Sequence, residues 1–471
     1  MDEIVKVLDH YIQRYNEYVG QQLLLILLIP TGLYFTLRFK FLQIRAFPHA
    51  LKAISGAFDR AEDAGDINHF RALTTALSAT IGIGNIVGVA LAIYYGGPGA
   101  IFWMWVTGFL GMILKFVECT LSFKFRTFNE DGTVSGGPMY YMAKGLKQRL
   151  GRLAAVLATL FAGATMLSAL GQGNMAQSNS IADALRSSYG VPTWVSGFVV
   201  SSLVLLVIVG GIKRIAEVTS KLVPFMAILY FFSGAVVILS NLSEVPRALT
   251  LIVKNAFTGT AQTGGFIGST FLITLRYGVA RGIFSNEAGQ GSAAIAHAAA
   301  KTRYPIREGL VASVGPFVDT IIVCSVTALV IILSGAWTCG KKGVTMTVEG
   351  FARGLYPFGL QDRAPDIVTA SLILFAFSTI IGWSYYGSRA VQYLFGSKAI
   401  IPYFYLYGIF VFLGALGKID LVWHFTDMAV TFMTIPNLIA LLFLGGLVEK
   451  DTHAYFEVMK KEGKGAVTSL G

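Results

Sequence analysis

The sequence predicts an all-α membrane protein with eleven transmembrane helices: one N-terminal helix followed by an inverted repeat of five plus five helices. Three observations predict this class. First, 54% of the 471 residues are hydrophobic and only 13% are charged, about half the charged fraction of soluble globular proteins. Second, eleven apolar stretches are long enough to cross a bilayer. Third, two of these stretches are broken by glycines at corresponding positions of the two halves.

The predicted spans follow one another without a long linker or a low-complexity segment. Residues 1–20 are expected to form an amphipathic segment, and 41–58 and 138–150 to form surface helices at the membrane interface. We therefore expect one transmembrane domain, 21–447, followed by a short cytoplasmic tail, 448–471. The spans lie near 21–37, 72–95, 98–123, 153–180, 193–212, 222–241, 264–298, 308–334, 365–388, 400–417 and 421–447.

The positions of Lys and Arg predict the orientation. The formal net charge of +11 suggests nucleic acid as a partner, but the distribution of charge explains it differently. If the second span begins inside, the inside loops hold 24 of the 37 Lys and Arg residues and the outside segments hold 10. We therefore expect a multi-pass protein of the cell membrane with its N-terminus outside and its C-terminus in the cytoplasm. Lipid, and not nucleic acid, is its expected partner, and the oligomeric state is not predicted.

The second span has a weak point at its middle, where Thr80, Gly82, Gly84 and Asn85 fall within six residues. Each glycine weakens a helix by roughly 1 kcal/mol relative to alanine. A helix broken at mid-membrane supplies the amides and carbonyls with which secondary transporters hold substrate and coupling ion. Close packing of small residues against a neighbouring helix is the alternative explanation.

An internal repeat favours the transporter interpretation. The motif GIGN at 82–85 is followed on the next span by FVE at 116–118, and the motif GQGS at 289–292 is followed by FVD at 317–319. Because the second copy begins five spans later, it enters from the opposite side of the membrane. An inverted repeat with two broken helices is typical of secondary transporters.

The stretch GGPGAIFWMWVTGFLG at 96–111 resembles the signature of the alanine/glycine:cation symporter family, and GIFSNEAG at 282–289 also resembles that family. The resemblance covers nearly the whole chain. It implies uptake of small amino acids coupled to sodium or to protons. It also implies a leucine-transporter type of fold, in which the first and sixth core helices are unwound at their centres. Here these helices would be the second and seventh spans.

The broken second span is the predicted substrate site. The amides of Gly82, Ile83 and Gly84 lie at a helix break, where the helix dipole favours a carboxylate. The resemblance implies that the residues from Thr80 to Gly84 line the substrate. It also implies that Asn85 faces an ion site, if the protein has a second one.

Adjacent hydroxyls on the ninth span, Ser378 and Thr379, are the predicted sodium ligands. Such hydroxyls often bond to a carbonyl one turn earlier on their own helix, which is the alternative. In the fold relatives, a hydroxyl pair on the eighth core helix binds sodium together with carbonyls of the first broken helix. The resemblance assigns those carbonyls to Ser78 and Ile81. Thr379 is also expected to line the substrate.

Four further side chains are candidate walls of the pocket. Trp383 follows Thr379 on the same helical face and would leave room for alanine or glycine but not for leucine. Gln172 and Asn174 interrupt the fourth span with two amides, which otherwise bond a neighbouring helix. Phe284 would be an aromatic wall. Ordinary helix packing is the alternative for Trp383 and Phe284.

Several charged residues lie within or beside the spans, where they need partners. Lys115 and Glu118 are three residues apart and are expected to pair. We expect the other intramembrane charges to form gates or structural pairs between acids and bases, and Asp66 and His69 to belong to an inside gate with basic residues. The other intramembrane charges are Arg276, Arg281, Glu287 and Asp319.

Together these features predict a sodium-coupled symporter for small neutral amino acids, alanine and glycine, that works by alternating access. Proton coupling through Glu118, Glu287 or Asp319 is the alternative. A passive channel is less consistent with the occluding rings of Trp383 and Phe284. An enzyme is not expected, since the sequence has no convincing nucleophile–base pair, no phosphate-binding Gly-rich Lys motif and no His/Cys cluster with metal-ligand spacing.

Overall fold

The computed structural model describes residues 2–60, 62–130, 132–264, 266–417 and 419–461, and this part of the chain is almost entirely helical. Residues 462–471 of the predicted tail, and Met1, lie outside the described residues. The helices are Asp2–Tyr15, Asn16–Gly20, Gln21–Arg38, Leu42–Arg45, Phe47–Ile54, His69–Thr80, Gly84–Gly88, Val89–Gly96, Ala100–Lys124, Pro138–Gly145, Lys147–Leu150, Arg152–Leu170, Gly171–Met175, Ala176–Tyr189, Thr193–Ile208, Gly211–Ser240, Val245–Thr258, Phe271–Asn286, Ser292–His297, Pro305–Pro316, Phe317–Cys324, Ser325–Leu333, Val344–Leu355, Ala364–Phe395, Ile400–Leu416 and Ile419–Lys461.

Eight helices in the described part of the chain are long and apolar enough to cross a bilayer, and a bent helix pair makes a ninth candidate. These nine coincide with nine of the predicted spans. The other two predicted spans are represented by shorter helices, Thr193–Ile208 and Phe271–Asn286, of 16 residues each. The predicted count of eleven therefore stays a prediction.

The first broken helix consists of His69–Thr80 and Gly84–Gly96, bent by 55° at residues 81–83. It begins after Asn68, whose Oδ1 accepts from the amide of Arg71 at 2.9 Å. It stops at Thr80 because Ile81 adopts an extended conformation. The helix then resumes as a wide π-helical turn, Gly84–Gly88. Such turns are often found at functional sites.

The second broken helix consists of Phe271–Asn286 and Ser292–His297. The chain leaves the helix at Glu287, which has a positive φ of 54°. Gly289 and Gly291 follow with φ of 77° and 79°, a conformation that glycine adopts without steric cost. This break contains the predicted GQGS motif, and its strained non-glycine residue is the acidic one.

Short elements cover the ends of the bundle. The predicted surface segments form the paired short helices 42–54 and 138–150. A two-stranded antiparallel hairpin, Thr127–Phe128 with Val134–Ser135, connects to the second of these pairs. Two further helices, Val245–Thr258 and Val344–Leu355, lie in segments for which the sequence analysis predicted no helix.

Three of the loops predicted to lie inside meet at one end of the bundle, together with residues 449–461; we call this the basic end. Arg126 donates to the carbonyls of Ala64 and Ala300, and so joins these loops. The helix Ile419–Lys461 continues through the start of the predicted tail and pairs with the loops. Its ion pairs are Arg38–Glu449 at 2.7 Å and Lys124–Asp451 at 2.6 Å.

Candidate functional site

The first broken helix meets the helix Ala364–Phe395, which we call the hydroxyl helix, at a group of uncharged oxygens. Thr379 donates its hydroxyl to the carbonyl of Ile81 at 3.3 Å. The neighbouring hydroxyl of Ser378 is fully buried and has no hydrogen-bond partner among the described residues. Buried hydroxyls are normally bonded, so the unpartnered hydroxyl of Ser378 is an exception beside the bonded hydroxyl of Thr379.

The break frees the carbonyl of Ser78 from the helix. In a continuous helix the amide of Gly82 would bond this carbonyl. Here that amide donates to Oδ1 of Asn85 instead, at 2.9 Å. The hydroxyl of Ser78 is used within its own helix, where it donates to the carbonyl of Thr75 at 2.7 Å. The carbonyl of Ser78 is therefore free of its usual helical partner.

Two of the three amides predicted to hold a carboxylate are occupied by side chains. The amide of Gly82 is bonded by Asn85, and the amide of Ile83 donates to Oε1 of Gln177 at 3.3 Å. Both acceptors are neutral amide oxygens on side chains that have alternative rotamers. A carboxylate at these amides would have to displace the two side chains, and the predicted carboxylate site stays a prediction.

Asn85 connects the two broken helices. Its Nδ2 donates to Oγ of Ser285 on the second broken helix at 3.1 Å and to Oδ1 of Asp319 at 2.7 Å. Asp319 also accepts from the hydroxyls of Ser285 and Thr320. Hard oxygen atoms from three segments are thus gathered around Asn85. The predicted ion-facing residue lies at the centre of this network.

Trp383 lies one turn beyond Thr379 and contacts the break of the second helix. Its Nε1 donates to Oε1 of Glu287 at 2.8 Å, and its ring is fully buried. Glu287 also accepts from the hydroxyl of Ser292 at 2.6 Å. The ring packs directly against Gly173, where a Cβ would overlap it. Trp383 therefore has a polar partner as well as volume, which the sequence did not indicate.

The remaining predicted substrate residues divide into two groups. Phe284 packs on Gly84, whose Cβ position is 3.1 Å from the ring, so these two residues join the broken helices. Thr80 bonds carbonyls of its own helix and faces a different, narrow cavity that is also lined by Lys115 and His297. The predicted contact of Thr80 with the substrate stays a prediction.

The two predicted side-chain amides of the fourth span differ in their hydrogen bonds. Asn174 donates to the carbonyl of Tyr407 at 2.8 Å, which is the helix-packing alternative. Gln172 is buried, and its Oε1 has no partner among the described residues. The sequence analysis missed Gln177, which reaches the break itself. Its signal was the polar run QSNS at 177–180, within an otherwise apolar span.

The charged residues follow the predictions only in part. Lys115 and Glu118 form the expected pair, with Nζ 3.7 Å from Oε1. Glu287 and Asp319, however, are bonded by neutral donors and not by the arginines proposed for them. Neutral amides and hydroxyls satisfy these carboxylates because the breaks bring such groups next to them.

The predicted inside gate has different contacts from those expected. Asp66 accepts from the amide of Val134 at 3.0 Å. His69 contacts the carboxylate of Glu308, an acid, whereas the sequence suggested basic partners.

Comparison with known proteins identifies the family. The sequence model of the sodium:alanine symporter family matches residues 5–469. The chain belongs to this family. It is 44% identical to the sodium/alanine symporter AgcS of Methanococcus maripaludis over 455 residues, which cover 96% of this chain and 98% of that protein. It is 47% identical to an uncharacterized transporter of Haemophilus influenzae over 440 residues, which cover 93% and 94%.

Two solved structures share the fold. The crystal structure of MhsT in complex with L-phenylalanine aligns with a TM-score of 0.52 at 12% identity, covering 81% of this chain and 98% of that one. The substrate-bound outward-open structure of a Na⁺-coupled sialic acid symporter aligns with a TM-score of 0.53 at 14% identity, covering 92% and 98%. The predicted leucine-transporter type of fold is thereby confirmed. The sodium:alanine symporter family comprises membrane transporters of the amino-acid:cation symport type, and its members are not enzymes.

The contact between Gly82 and Thr379 predicts a difference between two glycines of the first broken helix. A Cβ at Gly82 would overlap the Thr379 hydroxyl, whereas a Cβ at Gly88 meets nothing within 4 Å. Neither glycine has a positive φ, so backbone strain does not differ between them. We expect Gly82→Ala to destabilise the protein by about 1–3 kcal/mol through overpacking and to lower its Tm. Gly88→Ala is the matched control and should leave Tm unchanged or slightly raised. Equal Tm values for both variants in a thermal-unfolding assay of the purified protein would contradict the packing described here.

Proposed function

We propose that this protein is a sodium-coupled symporter for small neutral amino acids, alanine and glycine, that works by alternating access. The observation that carries the proposal is the group of uncharged oxygens at the meeting of the hydroxyl helix and the first broken helix. The hydroxyl of Thr379 donates to the carbonyl of Ile81, and the hydroxyl of Ser378 is buried without a partner among the described residues. The break also removes the helical partner of the Ser78 carbonyl. Neutral hard oxygens of this kind suit a monovalent cation.

In this proposal sodium joins the two helices. The hydroxyls of Ser378 and Thr379 would approach the ion from one side, and the carbonyls of Ser78 and Ile81 from the other. Thr379 would then turn its hydroxyl proton away from Ile81 and present its oxygen. Because the ion binds only when the helices are together, it stabilises one conformation of the carrier over the other.

The substrate carboxylate would bind beside the ion, at the amides of Gly82, Ile83 and Gly84. It would replace the neutral oxygens of Asn85 and Gln177, which accept from two of these amides now. A carboxylate is a stronger acceptor than an amide oxygen, so the exchange favours binding. The released side-chain amide of Gln177 is then free to bond the substrate. Asn85 keeps its bonds to Ser285 and Asp319 through Nδ2.

The side chain of the substrate would face Trp383 and Phe284. Both rings are buried, and both contact a broken helix, through Glu287 and Gly84 respectively. Their volume leaves room for a methyl group or a hydrogen. This arrangement favours alanine and glycine over branched or aromatic amino acids.

Proton coupling is the second candidate. The observation that favours it is that Glu287 and Asp319 are fully buried and bonded only by uncharged donors within the described part of the chain. Either carboxylate could exchange a proton without breaking an ion pair. Uptake driven by a pH gradient in the absence of sodium would favour this candidate over the first.

We also propose that the transport unit is 21–447, that it lies in the cell membrane, and that the basic end faces the cytoplasm with the C-terminus. The positive-inside rule supports this orientation, and the meeting of several Lys- and Arg-rich loops at one end is consistent with it.

Removing the two hydroxyls tests the ion site. In Ser378→Ala/Thr379→Val the volume is kept, but two ligands of the ion are lost. We expect the sodium concentration for half-maximal alanine uptake in proteoliposomes to rise about tenfold or more, equivalent to at least 1.4 kcal/mol. By linkage, saturating sodium should restore part of the alanine affinity.

Ser371→Ala is the matched control for the ion site. Ser371 lies on the same helix, and its buried hydroxyl donates to the carbonyl of Ile367 at 2.8 Å. This variant should keep the parent sodium dependence. If the double variant also keeps it, the ion binds elsewhere.

Two substitutions of Trp383 separate its volume from its hydrogen bond. Trp383→Phe removes the Nε1–H donated to Glu287 but keeps an aromatic ring, whereas Trp383→Ala removes both. We expect only the alanine variant to accept valine and leucine as competitors of labelled alanine. If both variants lower the uptake rate but neither admits larger substrates, Trp383 positions Glu287 and does not limit the pocket.

A further inference from the structure

A buried cluster of two histidines and one glutamate joins the two broken helices at the basic end. His69 is the first residue of the first broken helix, and His297 is the last residue of the second. Glu308 lies between them. One of its carboxylate oxygens contacts Nδ1 of His69, and the other is 2.5 Å from Nδ1 of His297. All three side chains are at most 1% exposed, so a single carboxylate holds the ends of both broken helices.

His69 provides a position in the cluster where a further proton can bind. With a single proton on each ring, both histidines donate Nδ1–H to the carboxylate of Glu308. Nε2 of His69 is then a buried acceptor without a hydrogen-bond partner among the described residues. Oδ1 of Asp59 lies 3.9 Å from this nitrogen, and the Asp59 side chain is 36% exposed. A proton bound at Nε2 would make His69 a cation between two carboxylates.

The two arginines beside the cluster donate to backbone carbonyls, whereas the carboxylate of Glu308 contacts the two histidines. Arg307 donates to the carbonyl of Phe58, and Arg126 donates to the carbonyls of Ala298 and Ala300, next to His297. These cations are therefore held by backbone oxygens. The titratable or charged groups that face the cluster from its own and neighbouring elements are Asp59, Lys115, Cys119, Arg126 and Arg307, with His49 and Tyr455 behind Arg307.

The contacts from Asp59 through His69 and Glu308 to His297 lead from the protein surface to the interior. Asp59 is accessible to water, whereas His297 lines the narrow cavity between the broken helices, together with Thr80, Lys115 and Asn286. Opening this cavity toward the basic end requires the ends of the two broken helices to move apart. Such a movement must break at least one histidine contact to Glu308.

We propose that Asp59, His69, Glu308 and His297 form a proton-binding latch that holds the two broken helices together at the basic end. When His69 is protonated, its attraction to Asp59 is added to the bond with Glu308, and the latch is tight. When the proton leaves, His69 becomes neutral and loses its electrostatic attraction to Asp59, and the latch loosens. A low pH on the side of the membrane that the basic end faces therefore stabilises the closed form. This inference goes beyond the proposed function, because it assumes neither the transported amino acid nor the coupling ion.

Access to the cavity tests the latch without a transport assay. Ala312 lines the same cavity, so Ala312→Cys in the full-length protein, reconstituted in liposomes, reports its opening to a small water-soluble thiol reagent. Labelling of the native cysteines in the parent chain is subtracted. Because every variant carries the same new cysteine, the effect of pH on thiol ionisation cancels when variants are compared at one pH.

Asp59→Asn is the decisive variant, since it is partly exposed and does not disturb the core. At pH 6 we expect Ala312→Cys to be labelled several-fold faster in the Asp59→Asn chain than in the chain with Asp59, and at pH 8 equally fast. Glu62→Gln is the matched control, because Glu62 is an exposed acid of the same loop that pairs with Arg303 at 3.0 Å. Equal labelling at pH 6 with and without the Asp59→Asn change, or the same acceleration in Glu62→Gln, would overturn the proposal.

Discussion

The need to satisfy backbone groups at two helix breaks inside the membrane determines the polar contacts around those breaks. In hydrocarbon an unpaired amide costs several kcal/mol, so a break persists only where side chains replace the helical partners. At the first break Asn85 accepts from the amide of Gly82, and Gln177 accepts from that of Ile83. At the second, Asn286 accepts from the amide of Ala288 at 2.9 Å. Glu118 accepts from the amide of Gly291 at 3.2 Å. At each break, one local asparagine and one distant side chain thus accept hydrogen bonds from backbone amides.

This arrangement connects the breaks to the rest of the bundle. The distant side chains come from other helices, so each broken helix is held by hydrogen bonds as well as by packing. The hydroxyl helix contacts both breaks within two turns, through Thr379 to Ile81 and through Trp383 to Glu287. A group that binds at one break is therefore connected to the other break through the hydroxyl helix. Since the present partners are side chains, a ligand can replace them by rotamer changes and without unfolding a helix.

The sequence predicted these features to the extent that they are local. Glycines at 82–84 and 289–291 indicated both breaks, because the absence of a Cβ is a property of the residue itself. The positions of the spans followed from hydropathy, and only the two short spans fell below the length of a crossing helix. The partners were harder to predict. Gln177 lies 94 residues from Ile83, and His69 lies 239 residues from Glu308, so no spacing rule connects them. The bond from Asn174 to the carbonyl of Tyr407 was not predicted either, since an amide in a helix can face either neighbour; its place at the pocket stays a prediction.

The chemistry of the proposed ion site is consistent with the return step of a carrier. When the ion leaves a site made of hydroxyls and carbonyls, no net charge remains behind in the low-dielectric interior. A site built on a carboxylate would leave an uncompensated charge, whose burial costs several kcal/mol and opposes the movement of the empty carrier. In this protein the buried carboxylates Glu118, Glu287 and Asp319 already have donors from their own surroundings. If the proposal is right, they would stay in place while the neutral oxygens around Ser378 and Thr379 exchange an ion. Under the proposed function, bonded acids beside a group of uncharged oxygens would therefore favour sodium over a carboxylate-bound proton as the coupling ion.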